Sequence, residues 1–189
     1  MFSINSSSVN NDNYPSTSSL VRYLDSQEQL NIIDEIGSIP NWYFNWQHDP
    51  ASVGTEHFIK YIDNDLRIIR DNLNNFPITK AIIESITGTA TLGRIGFTRV
   101  MDRVGPFTWE NIPLVRNNII DKRYILFINM QSKYGGMVLD SNPVRDPSIL
   151  NFGIYEFALT KTLFFLNVTN KLSYYLMFDT IKDGIILTP

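Results

Sequence analysis

The chain has 189 residues, 43% hydrophobic and 19% charged, with a formal net charge of −3 and no cysteine. That length fits one domain that buries about two-thirds of its unfolded-chain surface. Zero cysteine excludes a disulfide framework, a thiolate nucleophile and any cysteine-held zinc or iron–sulfur site, and the slightly acidic balance speaks against a nucleic-acid binder.

No apolar run approaches the roughly 18–20 residues of a membrane helix. The opening MFSINSSSVNNDNYPSTSS has neither the basic nor the apolar region of a secretory signal. The expected setting is therefore intracellular or a virion, neither secreted nor membrane-bound. Nineteen Asn and 24 Ile against four Ala is the residue bias of an AT-rich genome, as in many phages and viruses.

Residues 1–19 form a polar tail whose few apolar anchors include Phe2, Ile4, Val9 and Tyr14. Such a segment cannot offset its own ordering entropy. It is expected to lie extended along a sheet edge or on a neighbouring subunit. Residues 20–189 are read as one domain, with a helical lead-in at about 26–87 and a β core at about 93–181.

Ser26 and Gln29 match a capping box, followed by Leu30, Ile33 and Ile36 at helical spacing. Pro40 ends that helix, and NWYFNWQHDP (41–50) is too irregular for another. FIKYI (58–62) alternates like a strand. Asp65 caps a predicted helix to about Asn74, with Leu66, Ile69 and Leu73 on one stripe. Pro77 opens a further helix whose inward residues are Ile78, Ile82 or Ala81, and Ile86; Gly88 stops it.

After Gly93 the period changes to two. The predicted strands are 94–101, 122–130, 135–141, 152–158, 162–168 and 172–181. They are short and separated by Gly, Pro, Asn and Asp, as in an antiparallel sandwich or barrel. In the second of them, Tyr124, Leu126, Ile128 and Met130 face one way and Ile125 and Phe127 the other. Both faces are apolar, so this strand is predicted to be central and covered on both sides. The fold class is α+β or mainly β.

There is no phosphate-binding loop, dinucleotide fingerprint or nucleophile elbow. The two histidines, His48 and His57, both precede the β core. His48 sits in a His-Asp-Pro turn and His57 in an alternating strand, so neither reads as a metal ligand. Carboxylates at Glu84, Asp102, Glu110, Asp140, Glu156 and Asp179 are scattered. Arg94 and Arg99 fall on opposite strand faces and, with Arg103, read as solvated charge.

The segment 153–181, GIYEFALTKTLFFLNVTNKLSYYLMFDTI, resembles the C-terminal core of the aspartyl/asparaginyl β-hydroxylases. The matching letters are Gly153, Tyr155, Glu156, Phe157, Val168, Asn170, Leu176, Phe178 and Asp179. Upstream, KRYILFINM resembles the family's R-x-H-[IL]-P-[IL] strand, with Arg123 in the arginine position. The resemblance spans about residues 78–181. It implies an iron(II)/2-oxoglutarate oxygenase fold, a double-stranded β-helix (jelly roll) with the N-terminal helices packed outside.

The departures fall on the chemistry. Where the family carries His-x-Asp, this chain reads Trp109-Glu110-Asn111. The distal histidine position reads Leu166, and the co-substrate arginine falls near Ser173. A two-histidine, one-carboxylate site cannot be drawn from the core. Trp109, Asn111, Arg123, Leu166 and Ser173 thus mark a vestigial pocket, with no catalytic residue, metal or cofactor expected.

The leading reading is a non-catalytic structural or assembly module, such as a phage or virus virion component. Its expected partners are proteins or copies of itself, met through residues 1–19. One alternative is a pseudoenzyme holding a small ligand or peptide between Arg123, Trp109 and Asn111. The other is a hydroxylase with atypical ligands from Glu110, Asn111, Asp140 or His57.

Overall fold

The computed structural model describes residues 18–40, 42–44, 57–62, 73–100, 107–108, 120–129, 137–139, 144–145, 150–157, 163–165 and 173–184. Strand β1 (Ser18–Tyr23) comes first and was not legible in the sequence. Helix α1 (Ser26–Gly37) follows. Its cap lies one residue earlier than the spacing predicts. Asp25 Oδ1 accepts from the N–H groups of Gln27 and Glu28, and Glu28 Oε2 accepts from the Asp25 N–H. A carboxylate is a stronger acceptor than a serine hydroxyl, and Gln29 turns away to donate to the Leu24 carbonyl.

The inward stripe of α1 moves accordingly. Ile32 and Ile36 are buried and Ile33 half-buried, whereas Leu30 is 60% exposed. Helix α2 (Pro77–Thr87) starts at its proline as predicted and ends at Gly88, whose φ of 58° needs glycine. It buries Thr79, Ile82 and Ile83; Ala81 is exposed. Its N-terminus has no side-chain cap of its own. Glu35 of α1 supplies one instead, accepting from the N–H groups of Ile78 and Thr79 at 2.8 Å each. Before α2, Leu73–Asn75 form a single 3-10 turn; the rest of the predicted 65–74 helix lies outside the described residues.

The remaining elements are strands: β2 (Tyr43–Phe44), β3 (His57–Ile62), β4 (Leu92–Val100), β5 (Phe107–Thr108), β6 (Ile120–Asn129), β7 (Met137–Leu139), β8 (Val144–Arg145), β9 (Gly153–Phe157), β10 (Leu163–Phe165) and β11 (Ser173–Ile181). A seven-stranded sheet runs β1-β9-β6-β11-β4-β3-β2 and a four-stranded sheet β5-β10-β7-β8. Every pairing among the described residues is antiparallel. From β4 onward the chain passes back and forth between the two sheets, with only β7 and β8 consecutive in one of them, the jelly-roll-like weave of a mainly-β domain.

Strand β6 is an interior strand of the large sheet, between β9 and β11, with both faces buried, as its sequence predicts. On one face Tyr124, Leu126 and Ile128 join Ile95, Phe97, Ile154, Leu176 and Phe178 against Ile32, Ile36, Ile82 and Ile83 of the helices. Burying each such side chain contributes about 1.5–3 kcal/mol, so this helix-covered face is the main apolar core. The opposite face carries Ile125 and Phe127, also buried, and it holds the polar groups of interest. The tail, residues 1–17, lies outside the described residues; Ser18 and Ser19, assigned to it from composition, belong to β1.

Candidate functional site

The face of the large sheet turned away from the helices is laid out by strand alternation. On β11 the odd residues Ser173, Tyr175, Met177 and Asp179 point to it. Their partners on β6 are Asn129, Phe127, Ile125 and Arg123, in that order. On β4, Thr98 lies opposite Tyr175 and Gly96 opposite Met177. On β9, Tyr155 lies opposite Ile125 and Phe157 opposite Arg123.

Aromatic rings fill the centre. Phe127 meets Tyr175 edge-to-face at 5.3 Å, Tyr155 at 5.8 Å and Phe157 at 6.3 Å. Such T-shaped pairs set the positive ring edge on the negative face. Burial pushes the Tyr175 hydroxyl far up, so it stays neutral. The Tyr155 hydroxyl accepts from the Leu150 N–H at 2.7 Å.

One end of this face is charged. Arg123 donates through Nε to Asp179 Oδ1 at 2.8 Å and through Nη2 to Oδ2 at 3.1 Å. The side chains are 7% and 1% exposed. This is the two-pronged guanidinium–carboxylate geometry that suits a dry site. Gly93 on β4 makes room beside it: a Cβ there would stand 2.8 Å from Ile181 Cδ1 and 3.4 Å from Asp179 Cβ.

The other end is neutral. Thr98 Oγ1 and Ser173 Oγ are buried without a hydrogen-bond partner, on the same face and diagonal to one another across β4 and β11. Leaving a hydroxyl unpaired in the interior costs about 1–3 kcal/mol.

Of the residues singled out in the sequence, Arg123 and Ser173 are both on this face. They stand at opposite ends of it, six positions apart along β11, about 20 Å. Trp109, Asn111 and Leu166 lie outside the described residues, as do Glu110, Asp140 and His48. His57 is on β3, in register with Val100 of β4.

Sequence reading passed over two groups. Asp179 looked like one scattered carboxylate, although its parity with Ser173 and Tyr175 places it inside. Thr98 gave no signal. Arg99 differs from expectation: rather than facing solvent it stacks its guanidinium carbon 5.0 Å over the Trp42 ring, itself 5.9 Å from Tyr174. Among the described residues no three His, Cys, Asp or Glu side chains come together as a metal site. None of the described helices is long and apolar enough to cross a membrane.

No protein-family model and no curated protein matches the chain. Solved structures do. It is similar to a 2OG-Fe(II) oxygenase family oxidoreductase from Burkholderia pseudomallei, with a TM-score of 0.61 and 11% identity over 87% of this chain and 85% of that one. A Trichoplax adhaerens prolyl hydroxylase, solved with a hypoxia inducible factor peptide fragment, gives 0.58 and 9% over 87% and 83%. A Pseudomonas putida prolyl-4-hydroxylase gives 0.51 and 9% over 87% and 91%. At such identities the likeness is one of fold: the chain has the fold of the 2-oxoglutarate oxygenases.

Proposed function

We propose that this chain is a non-catalytic oxygenase-fold protein that serves as a structural or assembly module, with β4–β11 forming a double-stranded β-helix. The strand orders β4-β11-β6-β9 and β5-β10-β7-β8 support the latter. The closer resemblance to the aspartyl/asparaginyl β-hydroxylases rests on the letters from Gly153 to Asp179 and belongs to the same proposal.

One observation carries the reading. The fold's iron group calls for two imidazoles and a carboxylate arranged on the jelly roll, yet both histidines, His48 and His57, precede β4. The buried carboxylate of the inner face, Asp179, is taken up by Arg123 on both oxygens. The residues present do not fit the iron and 2-oxoglutarate pair. A fold is a scaffold on which sites are replaced, and here the inner face is filled by rings and an internal ion pair.

The test is anaerobic loading with ferrous iron followed by metal analysis, with succinate formation from 2-oxoglutarate measured in parallel. The expected result is no stoichiometric iron and no succinate above a no-protein control. Near one iron per chain, or turnover, overturns the proposal in favour of a hydroxylase with atypical ligands.

A second reading, a pseudoenzyme holding a small ligand, has the unpartnered hydroxyls of Thr98 and Ser173 in its favour.

A further inference from the structure

Among the described residues, four large apolar side chains are exposed: Leu20, Val21, Tyr23 and Leu30, at 45, 41, 45 and 60%. All four fall within eleven consecutive positions, on β1 and the first turns of α1. Exposed apolar residues scattered singly need no explanation, but a cluster marks a contact surface.

Among the described residues, strand β1 is also the terminal strand of the seven-stranded sheet, paired on one side only, with β9. Its other side meets no described strand, so its outward backbone donors and acceptors are a template for another strand. Register places Leu20 on the face of Tyr155 and Arg22 on the face of Ile154, with Val21 at an irregularity between them. Exposed apolar groups therefore flank the open edge, and an extended strand meets both them and the backbone.

We infer that β1 is the self-association edge of this protein, pairing antiparallel with β1 of a second copy about a two-fold axis. Two features choose that occupant. The strand reads Ser18-Ser19-Leu20-Val21-Arg22-Tyr23, with its apolar pair at the centre. Opposite residues of an antiparallel pair share a face, so the two-fold passes between a residue and its own copy. At Leu20 it sets Leu20 against Leu20, Ser19 against Val21 and Ser18 against Arg22 of the other copy. No like charges then stand opposite each other. The one charge on the strand is neutralised in its own subunit, since Arg22 donates to both Glu28 oxygens at 2.7 and 2.9 Å and to Ser85 Oγ.

A β1–β1 contact is isologous, and such a contact closes at the dimer instead of growing into a fibre. A six-residue strand spans about 20 Å. A contact of one such strand on another buries less than the roughly 800 Å² per partner of a standard interface, so the dimer is a weak one.

The inference rests on the assembly reading above for its meaning, but the two fail separately. Iron loading tests the first and hydrodynamics the second.

The experiment is sedimentation velocity of the full-length chain across a wide concentration range. The expected result is a reversible monomer–dimer equilibrium, weakened at least about tenfold by Leu20→Lys and equally by Leu20→Glu, as for a charge placed on a pairing edge. Thermal melts of both variants should match the parent, because the side chain is exposed. Mixing the two variants should restore dimers, since opposite charges then meet near the axis.

A chain that stays monomeric at all concentrations overturns the proposal, as do dimers indifferent to both substitutions or species that keep growing past the dimer. If removing residues 1–17 turns a monomer into a dimer, the chain's own tail is the occupant of the edge and the proposal is wrong.

Discussion

Arg123 and Asp179 stand 56 residues apart in the chain and directly opposite each other on the central pair of strands, joined by two hydrogen bonds in a site almost closed to water. An ion pair there gains strong attraction but forfeits the hydration of two charges. Its net contribution to stability is therefore small, while its loss is costly, because whichever partner remains becomes an unpaired buried charge.

That asymmetry gives the first prediction. Arg123→Met and Asp179→Leu singly should each lower stability by about 3–5 kcal/mol in urea denaturation, while the double substitution should recover most of the loss. Additive losses in the double-mutant cycle would show that the two side chains contribute independently, against the geometry seen.

The second prediction concerns the neutral end of the same face. Thr98→Val replaces a buried, unpartnered hydroxyl by a methyl group of similar shape. It should leave stability unchanged or raise it by about 1 kcal/mol. A clear loss in denaturation midpoint would reveal a partner for that oxygen, and would favour the reading in which the inner face holds a ligand.

The third concerns acid. Glu28 has its pKa lowered, first by the hydrogen bond from Arg22, with burial opposing and the Asp25 N–H and Arg22 charge assisting. A depressed carboxylate contributes stability that is present above its unfolded value, about 4.3, and is lost as pH falls through the lower folded value. Glu28→Gln keeps an acceptor for the Asp25 N–H but removes the charge and the second oxygen that accepts from Arg22 Nη2. It should be slightly less stable than the parent at neutral pH, with the gap closing on acidification. A gap that holds constant down to acid pH would assign the effect to shape instead of charge. The gain is small because both side chains remain 29% exposed and solvent screens the pair.

Much of the architecture is a local property and was legible. Period-two alternation marks β4, β6, β9 and β11, and the doubly apolar stretch around Ile125 and Leu126 marks β6 as central, because side-chain direction on a strand follows from backbone geometry alone. The Pro77 start and Gly88 stop of α2 are equally local, being set by proline's missing N–H and glycine's access to positive φ. The cap of α1 was read one residue late because Ser26-Gln29 and Asp25-Glu28 both satisfy the capping spacing. Only the side chains' actual partners separate them.

The position of both histidines ahead of β4 was also plain in the sequence, and it needs no folding to argue against the fold's usual iron ligands. What only the tertiary structure decided is non-local. It made Asp179 the partner of Arg123, set Thr98 beside Ser173, bent Arg99 onto Trp42 and left β1 paired on one side only among the described residues. Strand register and sheet order bring such residues together from distant segments, and they are fixed by the joint burial of many side chains, which no short window of sequence contains.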